Sequence, residues 1–153
     1  LDIAQEKFPK KEFQVSEITD TNFPDGSFDL IFSMHLFMHL DYEKIQSTFR
    51  EVDRILRPNG VFIFDVPSAL RRGMTKGHKN ESWHGSTSFT IEEIKEIIPE
   101  NWSLHQTHGV LFFPIHRIPS KLRPLFFRLD RFLCRNFAPY SSYLILVIEK
   151  DEL

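Results

Sequence analysis

Two almost unbroken apolar runs, Phe28-Asp29-Leu30-Ile31-Phe32 and Val61-Phe62-Ile63-Phe64, constrain this chain more than any other feature, because a single amphipathic stretch separates them. Half-exposed strands alternate apolar and polar residues, whereas strands covered on both faces by helices do not. Both runs therefore predict buried strands. Between them, Asp41 can cap a helix over Tyr42 to Leu56, with Ile45, Phe49, Val52, Ile55 and Leu56 on one face. Arg54 and Arg57 lie near the negative end of its dipole. Pro58-Asn59-Gly60 ends the helix sharply, and Phe23-Pro24-Asp25-Gly26 makes a turn into the first run. Strand, helix and strand in that order form a right-handed crossover, and a parallel α/β sheet is the inference.

The flanks are read the same way. Leu1, Ala4 and Phe8 recur at helical spacing until Pro9, and Glu12 to Val15 reads as a short strand. The polar tract from Ser68 to Ser88 reads as a mobile loop. Thr90 and Glu93 form a capping box ahead of Ile91, Ile94, Ile97 and Ile98, which are expected to be buried before Pro99 stops the helix. Further strands are expected near Ser103 to Phe112 and Tyr143 to Glu149, with a helical segment over Pro119 to Phe137 between them. At 153 residues, without an internal repeat or a long linker, the chain is expected to form one domain, residues 1–153.

Charge and composition exclude little globally. A net charge of −2 gives no reason to expect nucleic acid as a partner, and the lone Cys134 cannot form an internal disulfide. There is no apolar stretch of about 18 residues and no signal-peptide pattern, so a cytoplasmic chain is expected. Lys150 to Leu153 spell an endoplasmic-reticulum retrieval signal, which acts only on a chain that has entered that compartment. The chain opens on Leu1, inside a helical pattern and without an initiating Met, so a preceding segment is expected.

One local imbalance stands out. From Arg117 to Arg135, six basic residues face one acid, Asp130, and are interleaved with Leu122, Leu125, Phe126, Phe127, Leu129, Phe132 and Leu133. Residues 117–137 thus read as a basic, Phe-rich helical insertion. It is either a core-packed helix with a solvated basic face or a helix that makes peripheral contact with an anionic membrane.

The succession FPDGSFDLIFSMHLFMHL, a helix closing in ILRPNG, and then VFIFDVP resembles the second half of class I S-adenosylmethionine-dependent methyltransferases of the type 11 kind. The resemblance implies a Rossmann-like α/β sheet and S-adenosylmethionine as cofactor, lying across the carboxyl ends of the parallel strands. It implies that Glu17 accepts a hydrogen bond from the adenine amino group, although the family more often has Asp there, and that the Ile18 backbone meets the ring. Ser33 and Met34 would lie near the methionine end, and His39 would border the acceptor pocket together with His35, Trp83 and His84.

The family's Gly-x-Gly-x-Gly loop and the acid after its second strand do not occur here. The resemblance therefore implies a sheet lacking its first two strands. In the family order 3-2-1-4-5-7-6, that gap would leave Glu12 to Val15 without neighbours. Weak binding of the cofactor by the isolated chain is expected.

His35 and His39 are four apart, the spacing of a two-histidine metal site on a helix, but no third ligand is evident and no metal is expected. His39 is a candidate general base, and Trp83 is either a lid over the acceptor or an anchor for its loop. The expected activity is methyl transfer to a small, hydrophobic or lipid-like acceptor once an amino-terminal part completes the site. The rival is a degenerate module of the same fold that binds or scaffolds without catalysis.

Overall fold

The computed structural model, which describes residues 1–74 and 87–152, builds the crossover as its residues dictate. Strand β1 (Phe28–Ser33) leads through a short 3-10 turn at Phe37–His39 into helix α2 (Tyr42–Ile55), preceded in the chain by helix α1 (Asp2–Lys7). The Asp41 carboxylate accepts the Lys44 N–H at 2.8 Å and fixes the start of α2. Ile45, Phe49, Val52, Ile55 and Leu56 are all buried, as their spacing predicts, and each such side chain contributes about 1.5–3 kcal/mol.

The helix ends at Ile55, three residues before Pro58, because Leu56 is already extended and opens strand β2 (Leu56–Pro67) opposite Phe28. Asn59 adopts the left-handed conformation at φ 60. Gly60 follows because an added Cβ would lie 2.6 Å from the Leu56 side chain and 2.7 Å from the Arg57 carbonyl.

After β2 come α3 (Ala69–Met74), α4 (Ile91–Ile97), β3 (Trp102–Val110), α5 (Arg123–Asn136) and β4 (Tyr143–Lys150). The four-stranded sheet has the order β1-β2-β4-β3. The pair β1 and β2 is parallel, but β4 runs antiparallel to both β2 and β3, so the expectation of a parallel sheet is corrected to a mixed one. Strand β4 slots in between β2 and β3, running against both.

One face of this sheet carries the core. Phe62 and Phe64 stack at 5.0 Å, Phe37 lies 4.7 Å from Phe64, and Phe49 meets Phe64 edge-on at 5.6 Å. Ile94 of α4 closes the cluster, and the Thr90–Glu93 capping box is present with both bonds made. Ile91, Ile97 and Ile98 are only partly buried against it.

The other face corrects the reading of the first apolar run. Ile31 and Phe28 pack on the core, but Leu30 is 52% and Phe32 is 70% exposed, because β1 is a sheet edge and no described helix covers that side. Three further expectations change. Glu12 to Val15 is not a strand, since no neighbouring strand among the described residues offers its backbone groups a ladder. Helix α1 forms but buries none of its residues. The tract from Ser68, expected to be a loop, begins with helix α3, anchored where the Ala69 N–H donates to the Phe89 carbonyl at 2.9 Å.

Candidate functional site

The carboxyl ends of β1 and β2 meet in a small constellation. Parallel register sets Ser33 opposite Phe64, so the residues leaving β1 lie beside Asp65. His35 there has φ 58, a left-handed backbone that histidine tolerates better than most residues and that costs on the order of 1 kcal/mol. Its N–H donates to Asp65 Oδ1 at 2.6 Å, a bond to a charged acceptor worth about 1.5–3 kcal/mol, which offsets that cost. His35 Nδ1 stands 3.6 Å from Asp65 Oδ2, and its ring meets Tyr143 edge-on at 5.6 Å. Asp65 is buried, while the His35 imidazole is open to solvent.

Neighbouring bonds hold the same end of the sheet. Ser68 Oγ donates to the Pro139 carbonyl and accepts the Arg71 N–H, and Arg71 donates to the Phe112 carbonyl at 3.1 Å. Thr87 Oγ1 donates to the Leu40 carbonyl at 2.7 Å, clamping the segment after the 3-10 turn.

Of the residues expected from sequence, Ser33, Met34 and His35 stand together as the exit from β1. His39 closes the 3-10 turn, exposed, with its backbone N–H bonded to the Leu36 carbonyl at 2.9 Å. The left-handed His35 and the 3-10 turn mean that His35 and His39 do not share an α-helical face. Among the described residues, no cluster of three His, Cys, Asp or Glu is placed to hold a metal. Glu17 is exposed and Ile18 half-buried in a tight turn, where the Asp20 N–H donates to the Glu17 carbonyl at 3.2 Å. No hydrogen bond or ion pair joins Glu17 to Ser33 or Met34 among the described residues. Trp83 and His84 lie outside the described residues.

The turn carrying Glu17 is fixed by a network that sequence reading missed. Buried Glu51 accepts the Thr21 N–H at 2.7 Å, the Thr21 hydroxyl, and Arg54 at 2.9 and 2.7 Å. Arg54 also donates to the carbonyls of Phe23 and Thr21 and to Asp25. The Arg54 hydrogen bond, helped by those from Thr21 and against the cost of burial, holds the Glu51 carboxyl at about 2. Arg54 is pushed upward in turn, chiefly by its hydrogen bond to Glu51. Asp65 was also missed, although an acid interrupting the apolar run VFIFDVP was a legible signal.

Two other features lie apart from this end of β1. A cavity of about 710 Å³ between the end of β3 and α5 is lined by Gly109, Leu111, Phe127, Arg131 and Cys134 among others, and by none of the expected site residues. Burial pushes the Cys134 thiol upward there. At the far end of β4, Lys150 Nζ donates to the carbonyls of Asp53 and Leu56 at 2.6 and 3.2 Å and pairs with the Asp53 carboxylate at 3.2 Å. In the folded chain, this first residue of the retrieval-like tetrapeptide is thus a buried structural group.

Comparison with known proteins bears on the fold and on part of the chain. A family model described as "Methyltransferase domain" matches residues 1–64. The chain is similar to "Sterol methyltransferase-like 3" of Botryococcus braunii, 27% identical over 150 residues that cover 88% of this chain and 35% of that protein. Its fold matches the PH0226 protein of Pyrococcus horikoshii OT3 with a TM-score of 0.63 at 14% identity, covering 99% of this chain and 64% of that one. It also matches a SAM-dependent methyltransferase of Archaeoglobus fulgidus with a TM-score of 0.61 at 12% identity, covering 98% and 72%. The chain thus spans about a third of the length of its sterol methyltransferase-like relative. Sequence match and sheet order point the same way: residues 1–64 are similar to the methyltransferase domain, and the fold of the chain is one it shares with a SAM-dependent methyltransferase.

Proposed function

We propose that this chain, as part of a longer protein, forms one wall of an S-adenosylmethionine site and takes part in methyl transfer to a small, hydrophobic, lipid-like acceptor. The observation that carries the reading is the crevice at the carboxyl ends of β1 and β2, where buried Asp65 pins the left-handed His35. Open α/β sheets bind ligands outside the carboxyl ends of their strands.

The residues present fit part of the cofactor. Glu17 offers an exposed carboxylate to an amino donor, Ile18 an apolar backing, and Ser33 and Met34 a strand-end backbone. The uncovered edge and face of β1, with Leu30 and Phe32 open, support the view that further strands share the grip.

The cofactor supplies a sulfonium methyl that passes to the acceptor by direct displacement, the carbon–sulfur pair staying on sulfur. Positioning then provides much of the rate. The exposed His39 imidazole suits removal of the acceptor's proton where that atom is oxygen or nitrogen. The lipid-like acceptor draws support from the relative named as sterol methyltransferase-like.

Calorimetric titration of the 153-residue chain and of the longer protein with S-adenosylmethionine tests the shared grip. Weak or absent binding to the chain alone, with binding restored in the longer protein, is expected. Micromolar binding to the chain alone overturns it. In the longer protein, His39→Ala should lower turnover about 100-fold or more while leaving cofactor affinity nearly unchanged. Equal loss of both removes the base.

A further inference from the structure

Helix α5 buries little of what its composition would bury. Leu122, Leu125, Leu129 and Phe132 are 50, 67, 44 and 59% exposed. At 3.6 residues per turn they fall within one sector of about 80°, a continuous apolar stripe along the helix. Its anchoring side is different: Phe126 packs edge-on against Phe113 at 5.6 Å, Cys134 is buried, and Asp130 accepts the Phe113 N–H at 2.7 Å. The one acid of the segment is therefore turned inward.

Arg123 is likewise spent, donating to the carbonyls of Ile118 and His116. What remains beside the stripe is cationic. Arg128 and Arg135 line one flank with Arg131 beyond them, and Lys121 stands just before the helix, all exposed and without an ion-pair partner among the described residues.

We propose that this stripe with its arginine flank is a docking surface for an anionic lipid bilayer, with α5 lying in the interface plane. Charge complementarity selects the occupant. An apolar stripe edged by long cationic side chains matches the boundary between acyl chains and anionic headgroups, where arginine stems lie along the apolar layer and their heads reach phosphate. A second copy would bring two arginine rows together and be repelled. The surface is also separate from the open edge of β1, since α5 packs on β3 at the opposite edge of the sheet. The overall charge of −2 is no obstacle, because screening confines the attraction to about 10 Å. The inference needs neither cofactor nor turnover, so it stands apart from the methyl-transfer reading.

Co-sedimentation of the 153-residue chain with vesicles tests it. Binding is expected to phosphatidylcholine vesicles containing phosphatidylserine but not to phosphatidylcholine alone, and it should weaken as salt is raised. The pair Leu125→Ser and Phe132→Ser should weaken binding at least about ten-fold, since each removes apolar area that only the bilayer would bury. The pair Arg128→Gln and Arg135→Gln should weaken it about 25-fold, roughly five-fold per cation, while Arg128→Lys with Arg135→Lys keeps most of it. All four positions are exposed, so the variants should remain folded, which circular dichroism checks. Absence of binding to the anionic vesicles, equal binding to neutral ones, indifference to the Leu125 and Phe132 changes, or a lipid-free dimer that those changes dissolve would each overturn the proposal.

Discussion

Glu51→Gln is the most informative single change, because it removes one charge from the network that seats the turn carrying Glu17 and leaves the side chain's shape intact. Glu51 is buried and accepts four hydrogen bonds from Thr21 and Arg54, and its carboxyl is held at about 2 against an ordinary 4.5. By linkage that difference is worth about 3 kcal/mol as a ceiling. Water beside Arg54, whose side chain is 35% exposed, reduces it to about 1–2 kcal/mol. Because the folded value lies below the unfolded one, the contribution is complete above pH 4.5 and fades as the pH falls from 4.5 towards 2.

The expected outcome is therefore a gap that changes with pH. In urea unfolding, Glu51→Gln should be less stable than the parent by about 1–2 kcal/mol at pH 7, and the two curves should converge as pH approaches 2. Other carboxylates titrate in both proteins and cancel in the difference. Asp53 is one of them: burial alone would raise it, but hydrogen bonds from Trp102, Asn101 and Lys150 hold it low. A gap that stays constant from neutral to acid pH would refute the reasoning, since it would show that Glu51 acts by packing rather than by charge.

Two further outcomes follow from the geometry. Gly109→Ala would place a methyl 2.2 Å from Ser141 Oγ and 2.8 Å from the Cys134 carbonyl, backbone that cannot easily yield, so thermal unfolding should show a loss of about 1–3 kcal/mol. A variant as stable as the parent would mean that the β3–α5 junction is looser than these distances imply. Asp65→Ala removes the acceptor of the His35 N–H and should weaken cofactor binding in the longer protein, whereas Asp65→Asn, which keeps an acceptor oxygen, should restore part of it. Isothermal titration reads both, and identical affinities for the two variants would remove Asp65 from the site.

Elements whose partners lie close in sequence were legible. The Asp41 cap, the stripe from Ile45 to Leu56 and the Thr90–Glu93 box are set by contacts within a turn or two of helix, and each stands where its spacing places it. What was not legible depends on distant partners. Arg54 read as a cation at a helix end, yet its role comes from Glu51 together with carbonyls some 30 residues away at Phe23 and Thr21, which no local pattern encodes. Asp65 was visible as an acid in an apolar strand, but its partner is set by parallel register, and register is not a local property.

The first apolar run shows what kind of information a sequence holds. Phe28 to Phe32 encodes a strand that would be covered on both faces, and among the described residues only the Phe28 and Ile31 side finds cover. Leaving Leu30 and Phe32 in water forgoes about 1.5–3 kcal/mol each, a sizeable part of the 5–15 kcal/mol by which a domain is usually stable. Those two side chains lie on the strand that delivers Ser33, Met34 and His35 to the crevice. Any surface that comes to cover them would therefore also wall that crevice, so completing the sheet and completing the proposed cofactor site are expected to be one event. That coupling is why titration of the chain alone against the longer protein separates the proposed enzyme from a module of the same fold that never bound the cofactor.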